Sequence, residues 1–96
     1  MAASTIFVDE PKNFSYLLDM TPQQSRAARG WLGWSQTELA KRANVSLSTV
    51  RDFEMGHRTP IPVTIASLQR VFEEAGIRFL VREDGSAEGI AEKRAD

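Results

Sequence analysis

Ninety-six residues, 42% hydrophobic and 26% charged, suit one small domain with a single modest core. No apolar run approaches the ~20 residues that cross a bilayer, no basic-then-apolar opening reads as a secretory signal, and the absence of cysteine removes disulfides and thiolate metal sites. The net charge of −1 hides a division: residues 21–72 carry seven basic and three acidic side chains, net +4, against −2 before and −3 after. Basic charge gathered in one block suits a polyanionic partner, and a chain without cysteine is compatible with the reducing cytoplasm.

Residues 1–20 read as an N-terminal arm. Ser4 to Val8 has β-branched and aromatic character, and Phe14, Leu17 and Leu18 fall at helical spacing. The arm packs on the domain or on a second subunit, or it is a mobile tail.

From Thr21 the punctuation sharpens. Thr21-Pro22-Gln23-Gln24 supplies an N-cap, a proline at the first helical position and a glutamine that completes a capping box. This predicts a helix to about Leu32, burying Ala28 and Leu32, with Gly33 as its stop. Ser35-Gln36-Thr37-Glu38 is a second capping box, opening a short helix through Ala43 that buries Leu39 and Ala40. Asn44 tolerates the left-handed conformation of a tight turn, and Ser46 caps a third helix from Leu47 to Met55, ended by Gly56. Thr59-Pro60-Ile61-Pro62 is a rigid entry to a fourth helix, on which Ile65, Leu68, Phe72 and Ala75 share a face before Gly76 closes it.

After Gly76 the period changes from 3.6 to 2. Ile77, Phe79 and Val81 alternate with Arg78, Leu80 and Arg82, and Asp84-Gly85 marks a turn. One strand must pair to satisfy its backbone. With no second strand evident in the domain, Ile77, Phe79, Leu80 and Val81 become candidates for pairing across a dimer, the alternative partner being Ser4 to Val8. Ser86 to Asp96, small and charged, reads as a mobile tail. The division is therefore 1–20, an arm; 21–76, the helical domain; and 77–96, a strand and charged tail.

The stretch Gln36 to Met55, QTELAKRANVSLSTVRDFEM, carries the parts of a helix-turn-helix. Ala40 is the small residue where two helices cross, Asn44 makes the turn, and Leu39, Val45, Val50 and Phe53 lock the pair. Flanked by RGWLGWSQ and FEMGHRTP, residues 21–76 closely resemble the Cro/C1-type helix-turn-helix family, also called the XRE family. The departure is Asn44, where that family usually has glycine. Four helices and one short C-terminal strand make the chain mainly α, and the resemblance implies a lambda-repressor-like bundle.

The third helix can be read by geometry alone. At 100° per residue, Val50 and Phe53 define its buried side, and the opposite side presents Ser48, Arg51, Asp52 and Met55 with Leu47 at its edge. A helix of this length fits the major groove. Arg51 is suited to guanine O6 and N7, Ser48 to several bases, and Leu47 to a thymine methyl or to capping its helix. Asp52 either accepts from cytosine N4, holds Arg51, or repels non-cognate DNA. The resemblance adds Gln36, His57, Arg58 and Thr59 as phosphate contacts, and Arg29 with Glu54 as a partly buried salt bridge. Trp31 and Trp34 read as a cover for the core rather than a stacking platform, and Lys41 and Arg42 as either a solvated face or a binding element.

The resemblance implies a sequence-specific transcriptional regulator, a repressor binding a palindromic operator in double-stranded DNA as a homodimer. Two alternatives stay open: an antitoxin that represses its own operon while holding a toxin partner, and a protein-binding adaptor that has lost DNA affinity. An enzyme is not expected, because no Gly-rich phosphate loop, Gly-x-Ser-x-Gly elbow or metal-ligand cluster is present. No cofactor, metal or membrane partner is called for.

Overall fold

The computed structural model describes residues 20–93. Residues 1–19 of the expected 1–20 arm and the last three residues of the tail lie outside them, whereas Met20 is buried in the core. The described chain folds as α1 (Pro22–Leu32), α2 (Gln36–Ala43), α3 (Leu47–Glu54), α4 (Pro62–Glu74), β1 (Ile77–Val81) and β2 (Ala87–Glu92). No helix among the described residues is long and apolar enough to cross a membrane.

Local chemistry sets the helix ends. Thr21 caps α1 and closes a full capping box with Gln24, satisfying two backbone N–H groups that a helix start leaves bare. Gly33 ends α1 at φ 74°, a left-handed conformation that a glycine adopts without steric cost. Ser35 caps α2 by accepting from the Glu38 amide, but the Glu38 carboxylate turns to Arg42, 2.7 Å away, one helical turn on. Asn44 holds the turn between α2 and α3 at φ 59°, the one non-glycine residue with positive φ among those described. Ser46 caps α3.

Ala28 of α1, Leu39 and Ala40 of α2, Val50 and Phe53 of α3, and Ile65, Leu68 and Phe72 of α4 form one buried cluster. Small Ala28 and Ala40 leave room for the helices to approach, and the larger side chains fill what remains. Trp34 stacks on Phe72 at 5.7 Å, and the Arg42 guanidinium lies 4.3 Å from the Trp34 ring centroid.

Two expectations about apolar residues are corrected. Trp31 does not cover the core: it is 61% exposed on the outer side of α1, because it sits a quarter turn away from the Ala28–Leu32 stripe. Ala75 lies past the last turn of α4 and is exposed.

The larger correction is at the C-terminus. Ala87–Glu92, expected in a mobile tail, forms a strand antiparallel to β1, in register Ile77↔Glu92, Phe79↔Ile90 and Leu80↔Gly89 with an irregularity between Leu80 and Val81. The turn is built at Asp84-Gly85, where Asp84 accepts from the Ser86 amide at 2.9 Å and hydroxyl at 2.7 Å. β1 therefore has its partner within the chain, and the reason for pairing it across two subunits does not hold. The hairpin belongs to the bundle: Ile77 is buried, Phe79 meets Phe72 edge to face at 6.0 Å, and Ile90 packs on the same cluster. Gln24 bolts it down from α1, its Nε2 donating to the carbonyls of Leu80 at 3.2 Å and Gly89 at 2.9 Å.

Candidate nucleic-acid interface

α3 is amphipathic by position. Val50, Phe53 and Glu54 are buried, while Ser48 and Arg51 are exposed and Leu47 and Asp52 are half-buried beside them. At its N-terminus the Ser46 hydroxyl lies 3.1 Å from that of Ser48 and 2.8 Å from that of Thr49, so three hydroxyls cluster where the helix begins.

Glu54 is the bolt that fixes this helix. Its carboxylate is 1% exposed, and burial of a lone carboxylate is costly. Here three residues serve it. Arg29 donates from Nε to Oε1 and Oε2 at 3.1 and 3.0 Å and from Nη2 to Oε1 at 2.8 Å. Ser25 donates to Oε2 at 2.5 Å, and Gln36 Nε2 to Oε1 at 3.0 Å. Burial pushes the carboxyl up, but the bonds from Arg29, Ser25 and Gln36 and the charge of Arg29 outweigh it. The group is held below its ordinary value of 4.5. Arg29 also donates from Nη1 to the Trp34 carbonyl at 3.1 Å, and Arg26 donates to the Glu54 carbonyl.

These bonds gather the remaining candidates around α3. Gln36, the first residue of α2, is joined to Glu54 through one of its two amide hydrogens. The Asp52 carbonyl accepts from the amides of His57 at 2.9 Å and Arg58 at 3.3 Å, folding the next segment back onto the end of α3. His57, Arg58 and Thr59 are exposed on it. Lys41 and Arg42 are exposed too, but Arg42 is already engaged by Glu38 and Trp34. The strand residues are separate from this cluster, with Ile77 and Phe79 turned to the core and Val81 38% exposed.

Ser25 and Arg26 were not among the candidates named from the sequence. Ser25 carried a usable signal, since it lies on the same helical stripe as Ala28 and Leu32, where a hydroxyl needs a buried partner. Arg26 carried none: its target is a backbone carbonyl from a helix distant in sequence.

A short helix with one face locked in a core and a hydroxyl- and guanidinium-bearing face outside, preceded by a capped helix and a left-handed turn, is the helix-turn-helix arrangement of a DNA-binding bundle. A family model described as helix-turn-helix, HTH_3, matches residues 26–75. The chain belongs to this family of Cro/C1-type, or XRE, DNA-binding regulators. No curated protein gives a match.

Proposed function

We propose that the chain is a sequence-specific transcriptional regulator that binds a palindromic operator as a homodimer and represses by occluding the polymerase. Leu47, Ser48, Arg51 and Asp52 of α3 read base edges in the major groove, and Gln36, His57, Arg58 and Thr59 grip the flanking phosphates. One observation carries the reading: Glu54 locks the inner side of α3 while Ser48 and Arg51 are exposed on the outer side. Rigid support of this kind is what discrimination between bases requires, because a loosely held helix would lose orientation with every contact. The net +4 of residues 21–72 supports it as the electrostatic footprint of a polyanion binder.

Two copies bound to a palindrome would place their α3 helices about one turn, ~34 Å, apart. Selection of duplexes from a random library by the full-length protein tests the whole reading. Enriched inverted repeats with half-sites so spaced are expected. Enrichment of single half-sites would reject the dimer, and no enrichment at low salt would reject DNA recognition itself.

A further inference from the structure

The one acidic side chain on the outer side of α3 has no partner within the described residues. Asp52 lies one turn beyond Ser48, and among the described residues its carboxylate enters neither of the two ion pairs and accepts no hydrogen bond. Only its backbone carbonyl is used, by the amides of His57 and Arg58. Arg51, its neighbour in sequence, leaves the helix about 100° away and is not its partner. The idea that Asp52 serves to hold Arg51 therefore has no support in the geometry.

A free carboxylate on a phosphate-facing surface weakens binding to every duplex, whatever its sequence. A hydrogen-bond donor on a base offsets that repulsion in a sequence-dependent way, and the major groove offers two, cytosine N4 and adenine N6. Adenine sets an acceptor, N7, next to its donor, which repels a carboxylate. Cytosine sets an uncharged C5–H there. We propose that Asp52 is a specificity-determining residue that accepts a hydrogen bond from the N4 amino group of a cytosine in each half-site, so that duplexes without that cytosine are rejected. This rests on the reading of α3 as the helix that enters the major groove.

The identity of one base then depends on one side-chain atom of Asp52. Asp52→Asn keeps the side-chain shape but replaces an acceptor with a donor, and an amide pairs with adenine N6 and N7. Random-library selection is run in parallel with the full-length wild type and Asp52→Asn. The wild-type motif is expected to hold one cytosine per half-site that becomes adenine with Asp52→Asn, a switch in preference of about ten-fold or more, with the other positions unchanged. In the wild-type site, N4-methylcytosine at that position fills the outward N–H with a methyl group. It should weaken wild-type binding about ten-fold and Asp52→Asn binding far less. Matching thermal melts of the two proteins confirm that the fold is intact, as a carboxylate without bonds predicts.

An enriched wild-type motif that Asp52→Asn leaves unaltered, or that tolerates N4-methylcytosine throughout, overturns the role of Asp52 and leaves DNA recognition standing. A wild type that enriches nothing overturns both.

Discussion

Glu54 shows how a single buried charge can be made an asset. Its carboxylate is removed from water, yet Arg29, Ser25 and Gln36 return the hydrogen bonds that water would have made. Truncation should therefore cost more than a surface pair would. Glu54→Ala leaves the Arg29 guanidinium without its counter-charge, and a loss on the order of 3 kcal/mol is expected in denaturant titration. A double-mutant cycle with Arg29→Ala should show strong coupling; additive losses would mean that the ion pair contributes nothing. The depressed Glu54 pKa also has a sign. Its contribution is complete above the ordinary value of 4.5, where an unfolded chain would ionise, and is lost as pH falls through the lower folded value. Asp84, held down by the Ser86 hydroxyl and amide, acts in the same direction. Melting temperatures should drop on acidification below about pH 5, and less steeply in Glu54→Gln. Parallel curves for the two proteins would place the acid sensitivity elsewhere. Arg51 is exposed, so its removal should leave stability alone but cost about 1–3 kcal/mol of affinity and relax the motif at one base. A uniform loss across all sequences would make it a phosphate contact.

At the scale of elements, the hairpin depends on a helix cap. Gln24 closes the capping box of α1 with its Oε1 and holds the hairpin with its Nε2, so one amide serves both ends of the described chain. Gln24→Ala leaves the Thr21 amide without its acceptor and two strand carbonyls without this donor, at about 1–2 kcal/mol. Hydrogen exchange is expected to accelerate selectively in β1 and β2 while α2 and α3 keep their protection. Equal acceleration everywhere would show that the hairpin and bundle open as one unit. The role of Gln24 at Thr21 is legible from spacing, because a capping box is a local pattern. Its bonds to Leu80 and Gly89 are not, since they cross 56 and 65 residues of sequence.

For the molecule as a whole, charge is laid out along the chain rather than averaged. The acidic C-terminal stretch supplies the exposed residues Glu83, Asp84, Glu88 and Glu92 of the hairpin region, while Lys41, Arg51 and Arg58 are exposed on the helical part. On the proposed DNA-bound state, each basic phosphate contact releases about one counterion. Arg58→Ala should weaken binding to all sequences alike and make the slope of log affinity against log salt shallower by about one per subunit. An unchanged slope would remove Arg58 from the DNA.

The helical part is written in local pattern: Thr21, Ser35 and Ser46 begin helices, Gly33 and Asn44 turn the chain, and Ala28, Leu39, Val50 and Phe72 mark the inward faces. It also carried the family, because the helix-turn-helix pattern consists of residue types at short fixed offsets. Tertiary structure decided what depends on partners distant in the chain. β2 is not legible locally because Ala-Glu-Gly-Ile-Ala-Glu has little β-propensity, and it is a strand through its pairing with β1 and the packing of Ile90 on the core. Trp31 faces outward and Trp34 inward, a difference set by the end of α1 at Gly33 and by Phe72, which lies 38 residues beyond Trp34. Short-range patterns report backbone conformation and facing; which buried surface a residue finally meets is settled only when the helices and the hairpin close on one another.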